Sequence, residues 1–240
     1  MFLRNTGDIS YYLKRTSWIK YLDEGNLNYR SKMYIKKIGK KINDQNVYNS
    51  FKYWVLWRWI NKNFEFSETF VSRLRRNIKK LSLNIDSKEE TFLYELDELV
   101  FNAWRPLKEV PVRFELDKKE KINLLQTEIN VHKLIDLKET KLKMLGNFNA
   151  YFSSQAIYLT DYDQNLKHQI PYNQIINVNP KRYGIVIETM STNYLFRGRN
   201  KLLTFVILQR MLPKLKLDIS KIENLYDYFD FWNRLFSRIN

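Results

Sequence analysis

The 240-residue chain has no cysteine. Disulfides, thiolate zinc sites and a cysteine nucleophile are thereby excluded. Glycine and proline are scarce, at six and five residues, so the chain reads neither as a linker nor as a low-complexity tail. There are two histidines, His132 and His168, and neither stands at an H-E-x-x-H or other metal-ligand spacing. A surface role or a satisfied hydrogen bond is the plain reading of each. No long apolar run occurs. The best membrane candidate, Tyr53 to Ile60, is too short to span and contains Arg58. Met1 to Ser10 carries Arg4 and Asp8 and lacks the apolar core of a signal peptide. A cytoplasmic location is expected, with the inner face of the membrane as a place of action.

Catalytic signatures are missing too. There is no G-x-x-x-x-G-K-[ST] loop and no G-x-S-x-G elbow. Acidic pairs such as Glu89-Glu90 and Asp97-Glu98 fall on helix exteriors, where solvated faces explain them. The expectation is a non-catalytic protein with no cofactor and no metal.

What is present is basic and aromatic. Apolar residues make up 44% of the chain, enough for a globular core, and aromatics 15%. The formal net charge is +15. It divides into +8 over residues 1–106, +7 over 107–215 and zero over 216–240. Charge spread over two regions suits an anionic partner such as a membrane surface, nucleic acid or an acidic protein. Solvated faces are the competing explanation.

Residues 1–106 read as a helical region. Asp8 is placed to cap a helix from Ile9 to Leu22, and Tyr29 to Ile42 is a basic helical stretch interrupted by Gly39. Asn46 to Lys62 is dense in aromatics. Ser67 caps a helix whose stripe is Phe70, Leu74, Ile78 and Leu81. Ser87 with Glu90 has the spacing of a capping box, opening a helix with Phe92, Leu93, Leu96, Leu99, Val100 and Ala103 on one side.

Pro106 ends that helix, and the period then falls towards two. Strands are expected at Val110–Leu116, Lys121–Val131, Phe148–Phe152, Ala156–Thr160, Leu166–Pro171, Gln174–Val178, Ile185–Glu188 and Tyr194–Arg197. A helix follows from Asn200 to Leu212. A last amphipathic helix is expected from Ile219 to Phe236. The fold class is therefore α+β. The expected domains are a helical region 1–106, a β domain 107–217 and a C-terminal helix 218–240.

Local residues carry a family resemblance over roughly 107–215. Gly146-Asn-Phe-Asn-Ala-Tyr-Phe-Ser-Ser-Gln-Ala-Ile-Tyr-Leu-Thr160 resembles the paired hairpin of GRAM-type and bacterial pleckstrin-homology-like domains. Gln169-Ile-Pro-Tyr-Asn-Gln-Ile-Ile-Asn-Val178 is similar to their next segment, and Gly184–Glu188 with Tyr194–Arg197 to the hairpin after it. The resemblance implies an antiparallel β-barrel capped by the helix that contains Leu203, Phe205, Val206 and Met211. In lipid-binding members, basic residues cluster in a loop between early strands. Here that loop holds Lys133, Lys138, Lys141 and Lys143, but also Asp136 and Glu139.

Three features are candidates for binding. The first is a basic helix surface of Arg73, Arg75, Arg76, Lys79 and Lys80, which with Lys133, Lys138, Lys141 and Lys143 makes the set of candidate phosphate contacts. The second is the aromatic run Phe51 to Trp59, which suits base stacking or, more simply, a core. The third is the C-terminal set Phe229, Phe231, Trp232 and Phe236, together with Tyr226 and Tyr228. These aromatics cover more than one face, as a surface docking onto a partner protein or onto the N-terminal bundle would. The functional expectation is an adaptor or assembly subunit of a protein complex. Direct binding of anionic lipid, and nucleic-acid binding by the helical half, are its alternatives.

Overall fold

The computed structural model describes residues 2–117, 119–135 and 141–239, without the side chains of 226, 227 and 230. Two compact units divide the chain. One comprises Met1–Asp97 with Phe229–Asn240, the other Glu98–Tyr228.

The first unit is helical. Its elements are α1 (Thr6–Lys14), α2 (Tyr29–Gly39), α3 (Gln45–Asn63), α4 (Glu68–Lys80), the start of α5 (Ser87–Trp104) and α7 (Asp230–Ser237). The helix starts follow capping chemistry, twice shifted from the expected residue. Asn5, not Asp8, caps α1: its side chain accepts from Asp8 N at 2.8 Å, and Asp8 lies in the first turn, where a negative charge faces the helix dipole. The reciprocal box at α5 is formed by Asp86 and Glu89, one residue before Ser87 and Glu90. Ser67 caps α4 as expected, accepting from Phe70 N at 3.1 Å. The core takes Phe70, Leu74 and Ile78 from α4, Leu81 from its C-cap, and Leu93 and Leu96 from α5.

The last helix differs from the expectation of one element from Ile219 to Phe236. Two short 3-10 turns, Ile219–Lys221 and Leu225–Tyr228, precede α7. Asn224 sits at φ +50°, a left-handed conformation that an α-helix cannot pass through. Only the part from residue 229 onward belongs to the helical unit.

The second unit holds a seven-stranded antiparallel sheet of order β4-β3-β2-β1-β7-β6-β5. The strands are β1 (Ile122–Leu134), β2 (Leu142–Ser153), β3 (Ala156–Thr160), β4 (Leu166–Pro171), β5 (Ile175–Lys181), β6 (Gly184–Thr189) and β7 (Asn193–Arg197). The sheet is not closed: β4 and β5 are both edges, so the expected barrel is an open sheet. The long β1 pairs with β2 on one side and β7 on the other. Its register with β2 shifts at three places. Such bulges sharpen the local twist and bend the bulged strand. Glu128, at φ +57°, and Gly146, at φ +156°, lie at two of these irregularities.

Segment 107–117 corrects the sequence reading. Val110, Val112, Phe114 and Leu116 do alternate inward, packing on Ile122, Tyr151, Ala156 and Tyr158, yet they form no strand. Pro111 can donate nothing to a ladder, and among the described residues the segment's backbone is tied to β1 through Val110 N to Ile122 O at 2.8 Å. The burial is that of a strand, without the ladder.

Helix α6 (Lys201–Met211) packs on β5 and β6. Leu203, Phe205 and Val206 are buried, as expected, and so is Ile207, while Met211 is only half-buried. Gln126 of β1 fixes the start of α6, donating to Asn200 O at 3.1 Å and meeting Thr204 Oγ1 at 2.5 Å.

Candidate functional site

Three helices of the first unit and the turns beside them enclose a cleft of about 760 Å3. Helix α2 lends Tyr29, Lys32, Ile35 and Lys36, α3 lends Tyr48 and Lys52, and the end of α4 lends Lys79 and Lys80, followed by Leu81 and Ser82. Leu27 and Asn28 complete the wall. Five lysines therefore converge, and no acidic side chain is among the lining residues. Glu24, outside the lining, accepts from the side-chain amide of the lining residue Asn28.

Local chemistry explains the geometry. Asn28 and Ser31 form a reciprocal capping box at 3.1 and 3.2 Å, and Ser31 Oγ also donates to Tyr21 O at 2.6 Å, which anchors the start of α2. Leu27 is buried, and its N–H reaches Asn77 Oδ1 of α4 at 3.4 Å. Lys79 and Lys80 stand in the last turn of α4, where cations complement the helix dipole. Lys80 Nζ donates to Leu27 O at 2.7 Å and Lys52 Nζ to Ser82 O at 3.3 Å. Gly39 ends α2 against the Tyr48 ring: a Cβ there would lie 2.7 Å from it. The absence of a side chain thus seats Tyr48 at the cleft, with Lys52 5.6 Å above its ring.

Lys32, Lys36 and Lys79 are exposed, with no hydrogen-bond or ion-pair partner among the described residues. Lys52 is half-buried, and that burial lowers its pKa. An anion beside it would oppose that lowering, because a nearby opposite charge favours the ammonium form. A second, more polar recess of about 420 Å3 shares Lys52 and Ser82 and adds Asn46, Asn49, Tyr53, Asn84 and Arg238.

The residues singled out in the sequence have divergent placements. Lys79 and Lys80 line the cleft. Arg75 does not; its guanidinium pairs with Glu90 at 2.9 Å and Asp97 at 2.5 Å. Arg73 is half-buried and Arg76 exposed, and neither lines the cleft. Lys133, Lys141 and Lys143 are exposed beside the connection from β1 to β2, with Lys133 directly opposite Lys143. Lys138, Asp136 and Glu139 lie outside the described residues.

The aromatic candidates belong largely to the core. Phe51 and Trp59 of α3 are fully buried, and Trp59 stacks on Phe70 at 5.3 Å. Phe229, Phe231 and Trp232 are buried as well, so their proposed exposure to a partner protein is corrected. Phe229 and Trp232 pack on Phe64, and Phe231 packs on Trp232 at 4.9 Å. Of the two roles considered for this set, docking on the N-terminal bundle is the one they fill. Phe236 meets Trp57 at 5.8 Å and stays 49% exposed.

The lysines the sequence reading missed as site residues are Lys32, Lys36 and Lys52. A signal existed for two of them: Tyr29 to Lys41 contains no acid. Their convergence with α4 is a tertiary fact that spacing along the chain does not carry.

No family model matches the chain, and no curated protein is significantly similar to it. Function therefore rests on geometry. Among the described residues no helix is long and apolar enough to cross a membrane, and no group of three or more His, Asp or Glu side chains is placed to hold a metal ion.

The histidines sit in the sheet. His168 meets Phe148 edge-on at 5.5 Å. His132 on β1 has a buried Nδ1 with no partner among the described residues, and burial, helped by the Arg197 charge, lowers its pKa from 6.5. A depressed histidine pKa means that the unfolded chain binds the proton more readily. Stability conferred by neutral His132 is therefore complete above about pH 6.5 and declines as pH falls from there towards the folded pKa. Urea unfolding at a series of pH values should show this acid limb, and His132→Gln should flatten it.

Proposed function

We propose that the protein is a non-catalytic binding protein that holds a phosphate-bearing partner in the lysine cleft of its helical unit, and that its sheet unit is a pleckstrin-homology-like assembly module. The observation that carries this reading is the convergence of Lys32, Lys36, Lys52, Lys79 and Lys80 in one concavity without a lining carboxylate. Such a concavity focuses positive potential, and each ammonium presents three donors to phosphate oxygens. Its volume is that of a small-ligand pocket.

The assembly part rests on the sheet unit. Its seven antiparallel strands, followed by α6 against β5 and β6, support the likeness to pleckstrin-homology-like domains. The exposed Lys133, Lys141 and Lys143 occupy the hairpin that is basic in lipid-binding members. Placement in the cytoplasm, at the inner membrane face, fits an adaptor of this kind.

Inorganic pyrophosphate is a direct probe. Calorimetric titration at low salt should give saturable binding, and Lys32→Gln, Lys36→Gln and Lys79→Gln combined should weaken it about tenfold or more. The three lysines are exposed and have no hydrogen-bond or ion-pair partner among the described residues, so the fold should persist. Affinity should also fall as pH rises far enough to discharge Lys52, whose pKa burial lowers from the ordinary lysine value. Undiminished binding by the triple variant would place the anion elsewhere.

A further inference from the structure

Helix α2 presents cations and rings on both of its flanks. Tyr29, Lys32 and Lys36 follow one another at three- and four-residue steps and face the cleft. On the other flank Arg30 lies over the Tyr21 ring at 5.8 Å and Lys37 over the Trp18 ring at 5.2 Å. Trp18 in turn stacks on Tyr34 at 6.0 Å. Tyr29 is 74% and Trp18 49% exposed. Lys32, Met33, Lys36 and Lys37 are exposed between them, and α2 carries no acidic residue. The helix is thus the spine of a band in which flat rings alternate with ammonium and guanidinium groups.

We infer that the phosphate-bearing partner is single-stranded nucleic acid, running along α2 with phosphates at the cleft lysines and a base on Tyr29. This rests on the cleft reading above and deepens it. The chemistry favours a strand over a bilayer. A bilayer offers phosphates in a sheet and no flat rings. A single strand offers a phosphate and a π-face at every nucleotide, and stacking on aromatics tolerates any base. A duplex keeps its bases stacked on one another, so it could use the lysines but not the tyrosine.

The test is fluorescence anisotropy of a labelled single-stranded oligonucleotide of about fifteen pyrimidines, titrated with the full chain at several salt concentrations. Binding should weaken steeply with salt. The triple lysine replacement should reduce the slope of log affinity against log salt by about 2, at roughly 0.7 per lost phosphate contact. Tyr29→Ala should weaken binding about tenfold with the slope unchanged, because it removes a stack and no charge. Tyr29→Phe should restore it. Tyr29 is so exposed that neither change endangers the fold. Equal affinity of Tyr29→Ala and wild type, or of the matched duplex and the single strand, would overturn the inference. So would binding of phosphatidylserine vesicles without binding of the oligonucleotide; loss of that vesicle binding in the triple lysine variant would assign the cleft to a membrane. Pyrophosphate binding without oligonucleotide binding would overturn the nucleic-acid inference and leave the cleft reading standing. Failure of both probes would overturn the cleft reading itself.

Discussion

Replacing Val206 by Asp is expected to cost the sheet unit several kcal/mol, on the order of 4. Val206 is 0% exposed in α6, with Phe205, Ile207 and Leu208 buried beside it. Helix α6 lies on β5 and β6, whose own buried residues include Val178, Ile185 and Ile187. A carboxylate at this position must either remain charged among these apolar side chains or take up a proton at a cost. Val206→Ala serves as the control. It removes apolar volume without charge and should cost about 1–3 kcal/mol. Urea unfolding followed by circular dichroism distinguishes the two. A loss below about 1 kcal/mol for Val206→Asp would mean that α6 is not packed as described.

The second large effect is expected at the end of the chain. Arg238→Ala should destabilise the helical unit by about 2 kcal/mol. Glu89 has a side chain with 0% exposure, and Arg238 supplies its cation, with Nε 2.6 Å from Oε1 and a second bond of 3.0 Å to Oε2. Removing one partner of a buried pair leaves an uncompensated charge, which costs about 3–5 kcal/mol in a fully buried setting. The figure is lower here for two reasons. Arg238 is itself 34% exposed, and Glu89 keeps a bond from Asp86 N at 2.7 Å. Arg238→Lys should recover only part of the loss, since a lysine lacks the guanidinium fork that reaches both oxygens and the Tyr53 ring. Thermal unfolding of the three proteins side by side should follow the order wild type, Arg238→Lys, Arg238→Ala. Equal stability of Arg238→Ala and wild type would show that α7 is not tied to α5 through this pair.

Periodicity made much of the fold legible. β3 and β4 have the bounds expected from alternation and turn residues, and the stripe of Phe70, Leu74, Ile78 and Leu81 is buried as read. Periodicity reports burial, and burial can arise without hydrogen bonding. Val110 to Leu116 shows this, since alternate side chains go inward while Pro111 prevents a ladder. The C-terminal segment shows the converse. Its apolar spacing continues through Asn224, whose left-handed backbone breaks the helix, and asparagine is a residue that tolerates that conformation.

The candidate site was less legible for a simple reason. Basic residues look alike in a sequence, and tertiary contacts decide which of them remain free. Arg75 and Lys79 stand four apart on one helix, yet Arg75 is held by Glu90 and Asp97 while Lys79 faces the cleft. Lys32 and Lys36 come to that cleft from α2, and Lys52 from a helix whose sequence reads as aromatic core. The C-terminal aromatics mislead in the same way, because an excess of rings beyond one face is what a helix needs when several neighbours bury it. Trp232 alone packs on Phe64, Phe229 and Phe231.

Location of the bound anion is the most direct test. The full chain, labelled with 15N, would be titrated with inorganic pyrophosphate and its backbone amide shifts followed by NMR. The lysine cleft predicts that the largest shifts cluster at Asn28, Tyr29 and Lys32, around Lys52, and from Lys79 to Ser82, with Lys133, Lys141 and Lys143 of the sheet unit little changed. Shifts confined to those three hairpin lysines, or no saturable shift at all, would contradict it.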